Sequence, residues 1–205
     1  MEAQENTTRS RILKAAEAEF LSQGFRSASL RSIAGAAGVT TGAFYGYFKS
    51  KEQIFDALVG EQYETLLSMY RSVLTAFQTL PAQQQQTDMT FYTQQEVVRM
   101  TDYVYGSLTA FKLLLCSADG TKYDRFISDL ADMDAEATHN FRRSMESLGL
   151  EVQSVNENLE HMLISGMFTA YFELVIHDIP RAEADLCIRQ LLDFYSAGWQ
   201  KIMGY

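Results

Sequence analysis

Cysteine is nearly absent from this chain of 205 residues, with only Cys116 and Cys187. Two thiols cannot make a disulfide framework, so any fold must rest on a packed core. Proline is as scarce, at Pro81 and Pro180, so long helices are permitted over most of the chain. No run of about 18 consecutive apolar residues occurs, which argues against a membrane span. No apolar run follows a basic start, which argues against a secretory signal, and the cytoplasm is the expected compartment. Alternation of period two is never long enough to support a sheet, and no internal repeat is visible. There is no Gly-rich phosphate loop and no dinucleotide fingerprint, and Ser165-Gly166 lacks the pattern of a nucleophile elbow. An enzyme is therefore not expected, and neither is a cofactor.

Positive charge is also in deficit. The net charge is −9 and the pI about 4.8, which reads against a polyanionic partner until the chain is divided. Residues 1–55 carry seven basic side chains (Arg9, Arg11, Lys14, Arg26, Arg31, Lys49, Lys51) against five acidic ones, a net of +2. The remaining 150 residues carry a net of −11. The local patch, not the whole-chain balance, governs phosphate binding.

What is present is helical periodicity, and one stretch organises it. In Ser29–Lys51, the residues Leu30, Ile33, Ala34 and Ala37 fall on one apolar helical face. Ser29 stands where a cap for the free N–H groups is needed, and Gly38 where a left-handed C-cap belongs. Thr40 can cap a second short helix, in which Phe44 and Phe48 point inward together. Small residues at Ala34, Ala37 and Gly38 let two helices cross closely. This is the helix-turn-helix design, whose second helix enters the major groove by its N-terminal residues.

Upstream, residues 9–23 predict a first helix with Ile12, Ala16 and Phe20 on one face, ended by Gly24, after a polar tail over residues 1–8. Downstream, an amphipathic helix is expected over about 51–79, followed by a linker at Pro81 and the tract Gln83 to Gln86. Further helices are expected over 91–105, 108–116, 122–148, 152–177 and from Pro180 to about 203. The fold class expected is all-α. A three-helix DNA-binding domain over residues 1–50 would precede a larger helical domain over 51–205.

The run Ala43-Phe44-Tyr45-Gly46-Tyr47-Phe48-Lys49-Ser50-Lys51-Glu52 resembles the signature of the TetR family of bacterial transcriptional regulators. Ser29 to Ala34, Gly38-Val39-Thr40, and Ile12, Ala15, Ala16, Phe20 and Gly24-Phe25 match the same pattern, so the resemblance spans about residues 9–55. It implies a ligand-responsive repressor, homodimeric, bound to a palindromic double-stranded operator, with a small-molecule effector in the larger domain. It implies DNA contacts from Ser29, Arg31, Thr40, Thr41, Gly42, Ala43, Tyr45, Tyr47, Lys49 and Lys51. Each has a plainer reading. Arg31 and the two lysines can be solvated, the threonines can simply cap, and both tyrosines can be half-buried core residues. Gly42 and Gly46 mark either close approach of the backbone to DNA or mere tolerance.

For the effector, the resemblance points to a cavity that Met and aromatic side chains suit. Candidate lining residues are Tyr63, Met100, Tyr103, Tyr105, Phe111, Phe126 and Phe168, with core packing as the competing role at each. The last two long helices are apolar on more than one face, which suits pairing with a second copy through Met162, Phe172, Leu191, Tyr195 and Trp199. Asp129, Asp132, Glu136 and His139 share one helical stripe, but no facing ligand set is evident, so a solvated face is expected rather than a metal site. An architectural DNA-binding protein would use the same head without an effector.

Overall fold

The computed structural model describes residues 2–204, with side chains described except at 2–6 and 87–96. Its described residues form helices α1 (Glu2–Ser27), α2 (Leu30–Ala36), α3 (Thr41–Tyr47), α4 (Lys51–Gln78), α5 (Ala82–Gly106), α6 (Leu108–Cys116), α7 (Phe126–Ser147), α8 (Glu157–Ile176) and α9 (Arg181–Met203). No strand occurs among them. The fold is all-α, with an N-terminal helix-turn-helix followed by a larger helical part. By packing, the chain divides into two compact units: residues 1–65 with 107–126, and residues 66–106 with 127–205.

The first unit is built on aromatic rings. Phe20, Phe25 and Phe55 meet with centroids 5.2 to 5.8 Å apart, and two of the three contacts are edge-on. The series continues through Tyr123, Tyr63, Phe126 and Phe111. Each such pair adds about 0.5–1.5 kcal/mol beyond the area it buries. Gly24, at φ 71° and ψ 165°, breaks α1 and turns Phe25 inward, where its N–H donates to the Ser117 carbonyl at 2.9 Å. α1 begins at Glu2, earlier than the polar tail suggested. Ala, Gln and Glu there are strong helix formers, and no Gly or Pro stops them.

The second unit packs α8 and α9 with the second half of α4, α5 and α7. Leu174, Ala184 and Ile188 form a small core covered by Val97, Tyr105, Tyr171, Ile179 and Leu192. Tyr105 donates to the Ile179 carbonyl at 2.7 Å, and Arg181 lies over its ring while bonding Asp102 at 2.7 Å. α8 is by length and mean hydropathy apolar enough to cross a membrane, although it holds no unbroken apolar run. Ile164, Phe168, Phe172 and Val175 are buried in the second unit, which accounts for that composition.

Three further boundaries differ from expectation. The glutamine tract is not a linker, because α5 already starts at Ala82. The Pro81 carbonyl accepts from the N–H groups of Gln84 and Gln85. The Gln85 side chain, buried, donates back to the carbonyls of Gln78 and Leu80 and so closes the end of α4. Residues 122–125 form a turn before α7, and α8 begins only at Glu157, capped by Asn156.

Gly60 lies inside α4 for a packing reason. A Cβ there would stand 2.9 Å from the Tyr123 hydroxyl, which donates to Asp56 Oδ1 at 2.5 Å. Alanine adds about 1 kcal/mol of helix propensity, but overpacking costs about 1–3 kcal/mol. Gly60→Ala is expected to lower the melting temperature by a few degrees, and Tyr123→Phe in that background to recover part of the loss. Thermal melts of the single and double variants check this; a Gly60→Ala protein as stable as the parent would refute the crowding.

Candidate nucleic-acid interface and apolar cavity

The turn between α2 and α3 is fixed by backbone chemistry. The Val39 N–H donates to the Ala34 carbonyl and the Gly38 N–H to that of Gly35, both at about 3 Å, the paired bonds of a Schellman C-cap. Gly38 takes φ 66°, where a side chain is strained. Thr40 caps α3 by accepting from the Ala43 N–H at 3.2 Å, and Ser29 caps α2 from the Ser32 N–H at 3.4 Å. Neither short helix carries an acidic residue of its own in its first turn, and none lies in the first turn of α3, where a phosphate would meet free N–H groups.

Phe44 is fully buried and Phe48 nearly so, which sets the rotation of α3. Thr41, Gly42, Ala43, Tyr45 and Gly46 are left exposed, with Tyr45 at 44% and Tyr47 half-buried. Ser29, Arg31, Thr40 and Lys49 are exposed as well, so the expected contact residues other than Lys51 and Tyr47 share an open surface class. A Cβ at Gly42 or Gly46 would meet nothing within 4 Å, so these glycines are not required by internal packing.

Lys51 has a structural role. Its ammonium donates to the carbonyls of Arg26 and Ala28 at 3.0 and 3.2 Å and lies 4.6 Å from the Phe25 ring centre. Lys49 donates to the Tyr45 carbonyl at the end of α3. A further residue, Glu19, had no sequence signal because its partners lie 10 and 13 positions away. One oxygen accepts from the Ser29 N–H at 2.9 Å and the other from the Ser32 hydroxyl at 2.7 Å. It ties α1 to the start of α2.

In the second unit, a cavity of about 260 Å³ is lined from α4, α5, α7, α8 and α9. Tyr70, Leu74 and Phe77 form its α4 wall, and Met167, Phe168 and Tyr171 its α8 wall. Of the residues expected to line a ligand site, it includes Met100 and Phe168. Tyr63, Phe111 and Phe126 belong instead to the aromatic core of the first unit, and Tyr103 and Tyr105 do not line the cavity. Phe172, Leu191, Tyr195 and Trp199, expected at a subunit contact, line the cavity of their own chain. The outward apolar side chains of α8 and α9 include Leu159, Met162, Leu186 and Phe194, at 41, 67, 54 and 72% exposure.

One acid reaches this cavity. Asp134 is bonded by the Tyr70 hydroxyl. Burial pushes its carboxyl up to about 6, against the lowering effect of the Tyr70 bond, and the nearby Glu160 charge adds to the rise. Burial and then Asp134 push the Tyr70 phenol well up. Glu160 is buried. His139 Nε2 lies 3.2 Å from each of its oxygens, but the geometry makes a hydrogen bond only to Oε2 and leaves Oε1 without one. The sequence held a signal for both acids. Asp134 follows Leu130 by four on an apolar stripe, and Glu160 precedes Ile164 and Phe168 by four and eight. No group of three or more His, Cys, Asp or Glu among the described residues is placed to hold a metal.

Comparison with known proteins adds the following. The profile of bacterial regulatory proteins of the tetR family matches residues 12–58. The HTH-type transcriptional repressor KstR2 of Mycobacterium tuberculosis is 35% identical over 71 residues, which are 35% of this chain and 36% of that protein. The HTH-type transcriptional regulator TtgR of Pseudomonas putida is 44% identical over 64 residues, 31% of this chain and 30% of that protein. The matched stretch is thus about a third of the length of these curated relatives. A TetR-family regulator candidate from Syntrophomonas wolfei shares the fold over 94% of both chains, at 18% identity and a TM-score of 0.53.

The hydrogen bonds of Ser29 and Ser32 hold the Glu19 carboxyl below its usual range. Such a group stabilises above its unfolded value, about 4.3, and loses that effect as pH falls through its folded value. Glu19→Gln is therefore expected to melt below the parent at pH 7, with the gap closing as pH drops under about 4. Melting curves from pH 7 to 3 test this; a gap that is constant with pH would remove the electrostatic assignment.

Proposed function

We propose that this chain, whose residues 12–58 match the tetR family of bacterial regulatory proteins, is a homodimeric repressor of that family released from a palindromic operator by a small molecule. One observation carries the reading. The same helix, α4, contributes Ile54 and Phe55 to the core under the helix-turn-helix and Tyr70, Leu74 and Phe77 to a cavity wall. The operator contacts proposed are Arg31, Thr41, Gly42, Ala43 and Tyr45 toward base edges, and Ser29, Thr40, Tyr47 and Lys49 toward phosphates. Lys51 acts mainly by holding the end of α1. The second copy pairs through the outward faces of α8 and α9 at Met162, Leu186 and Phe194 as a four-helix bundle. The protein works in the cytoplasm, where its DNA is, and carries out no catalysis.

The proposed mechanism is geometric. Two recognition helices must stand about 34–36 Å apart to enter successive major grooves. A dimer contact on α8 and α9 leaves that spacing dependent on α4. In this reading, a ligand that presses on the second half of α4 re-aims its first half. Ligand and DNA then select different spacings, with a coupling of about 1–3 kcal/mol that acts equally in both directions.

Two outcomes are expected. On operator DNA selected from a random library, Tyr47→Phe and Lys49→Ala weaken binding to all sequences, with each lost phosphate contact lowering the salt slope by about one unit. Arg31→Ala and Thr41→Ala change which sequence is preferred. Isotherms at several salt concentrations read both effects, and unchanged affinity in both phosphate variants would remove those assignments. Light scattering should give twice 23.2 kDa for the parent, with Phe194→Glu shifting it toward the monomer. An apolar or amphipathic compound that raises the melting temperature should lower operator affinity as well. A compound that saturates the cavity and leaves operator affinity untouched would favour an effector-free architectural role.

A further inference from the structure

The charge of the cavity is one-sided. Among the described residues no lysine, arginine or histidine lines it, and Asp134 is its single charged side chain. A carboxylate in such surroundings is costly unless hydrogen bonds or a cation meet it. Tyr70 supplies one hydrogen bond. Behind it stands a second acid, Glu160, only 3% exposed, close enough for its charge to bear on Asp134 and with Oε1 lacking a hydrogen-bond partner. Neither acid is paired with a lysine or arginine among the described residues, and His139 is the one basic partner of Glu160. The rest of the wall is apolar and aromatic. Phe168 meets Tyr70 edge-on at 5.5 Å, and Tyr171, Phe172, Tyr195 and Trp199 line the same space. Ring faces attract a desolvated cation, and a low-dielectric site amplifies any opposite charge. An anionic amphiphile would meet repulsion here with no compensating cation.

We propose that the cavity binds a small cationic amphiphile, with an ammonium-type nitrogen against Asp134, Glu160 behind it, and an apolar or aromatic body among the rings. The inference rests on the effector reading above and specifies the ligand class of that site. It also assigns Asp134 a purpose that packing does not, since an apolar residue would fill its place on the Leu130–Phe141 stripe at lower cost.

The one tryptophan of the chain, Trp199, lines the cavity, so its fluorescence reports occupancy directly. The probes are benzyltrimethylammonium, its neutral carbon isostere neopentylbenzene, and the anion 4-phenylbutyrate, titrated into the full-length protein at constant ionic strength. The cation is expected to bind at least about tenfold more tightly than the isostere, a factor worth about 1.4 kcal/mol, and the anion weakest. Asp134→Asn should abolish the preference for the cation while leaving the neutral probe unchanged, and Glu160→Gln should reduce it. Because the parent protein alone shows the charge preference, a poorly folding variant does not block the test. Failure of the cation to bind, equal or tighter binding of the isostere or the anion, or a preference indifferent to Asp134→Asn would each overturn the proposal. Operator titration separates it from the reading beneath. A cation bound through Asp134 that leaves operator affinity unchanged keeps the site and sinks the release mechanism. A neutral probe that alone fills the cavity and releases DNA keeps the mechanism and sinks the cation site.

Discussion

Two helices of seven residues cannot persist alone in water, since helices this short do not recover the cost of nucleation. Everything proposed for DNA binding depends on how α2 and α3 are held. The first unit holds them from three sides. Ile33, Ala34 and Phe44 bury their inner faces. Glu19 ties down the start of α2 with both carboxylate oxygens. The aromatic series from Phe20 to Phe111 gives the surrounding helices a common core. With these in place, the exposed face of α3 is presented at fixed rotation, and the Schellman turn at Gly38 fixes its angle to α2.

The same logic recasts the lysines. A lysine at the start of a helix near a DNA-binding motif reads naturally as a phosphate clamp. In the folded chain the Lys51 ammonium lies over a phenyl ring and meets two carbonyls at the end of α1. A cation there satisfies groups that a helix end leaves open. The second unit makes a parallel point about apolar surface. The aromatic residues of α9 alternate between the cavity wall at Tyr195 and Trp199 and open exposure at Phe194. One helix thereby serves two apolar demands, and a face count on sequence alone cannot say which residue serves which.

Much of the fold was legible because its signals are local. The caps at Ser29 and Thr40, the left-handed Gly38, the inward pair Phe44 and Phe48, and the ends of α4 and α6 all depend on neighbours within a few residues. The helix-turn-helix and its exposed residues followed directly. The glutamine tract misled because composition suggests solvent, whereas Gln85 satisfies two helix-end carbonyls and is buried for that reason.

The sequence by itself determined the all-α class, the helix-turn-helix, the short-range caps and the resemblance to the TetR signature. These rest on 3.6-residue periodicity and on backbone conformations that only particular residues accept. Tertiary structure alone decided which aromatics became core and which became cavity, that Glu19 and Lys51 brace the head, and that Asp134 and Glu160 bring negative charge to an apolar site. Those outcomes depend on contacts between residues far apart in the chain, as between Tyr70 and Phe168. Periodicity reports which face of a helix is apolar. It carries no information on which distant element that face will meet.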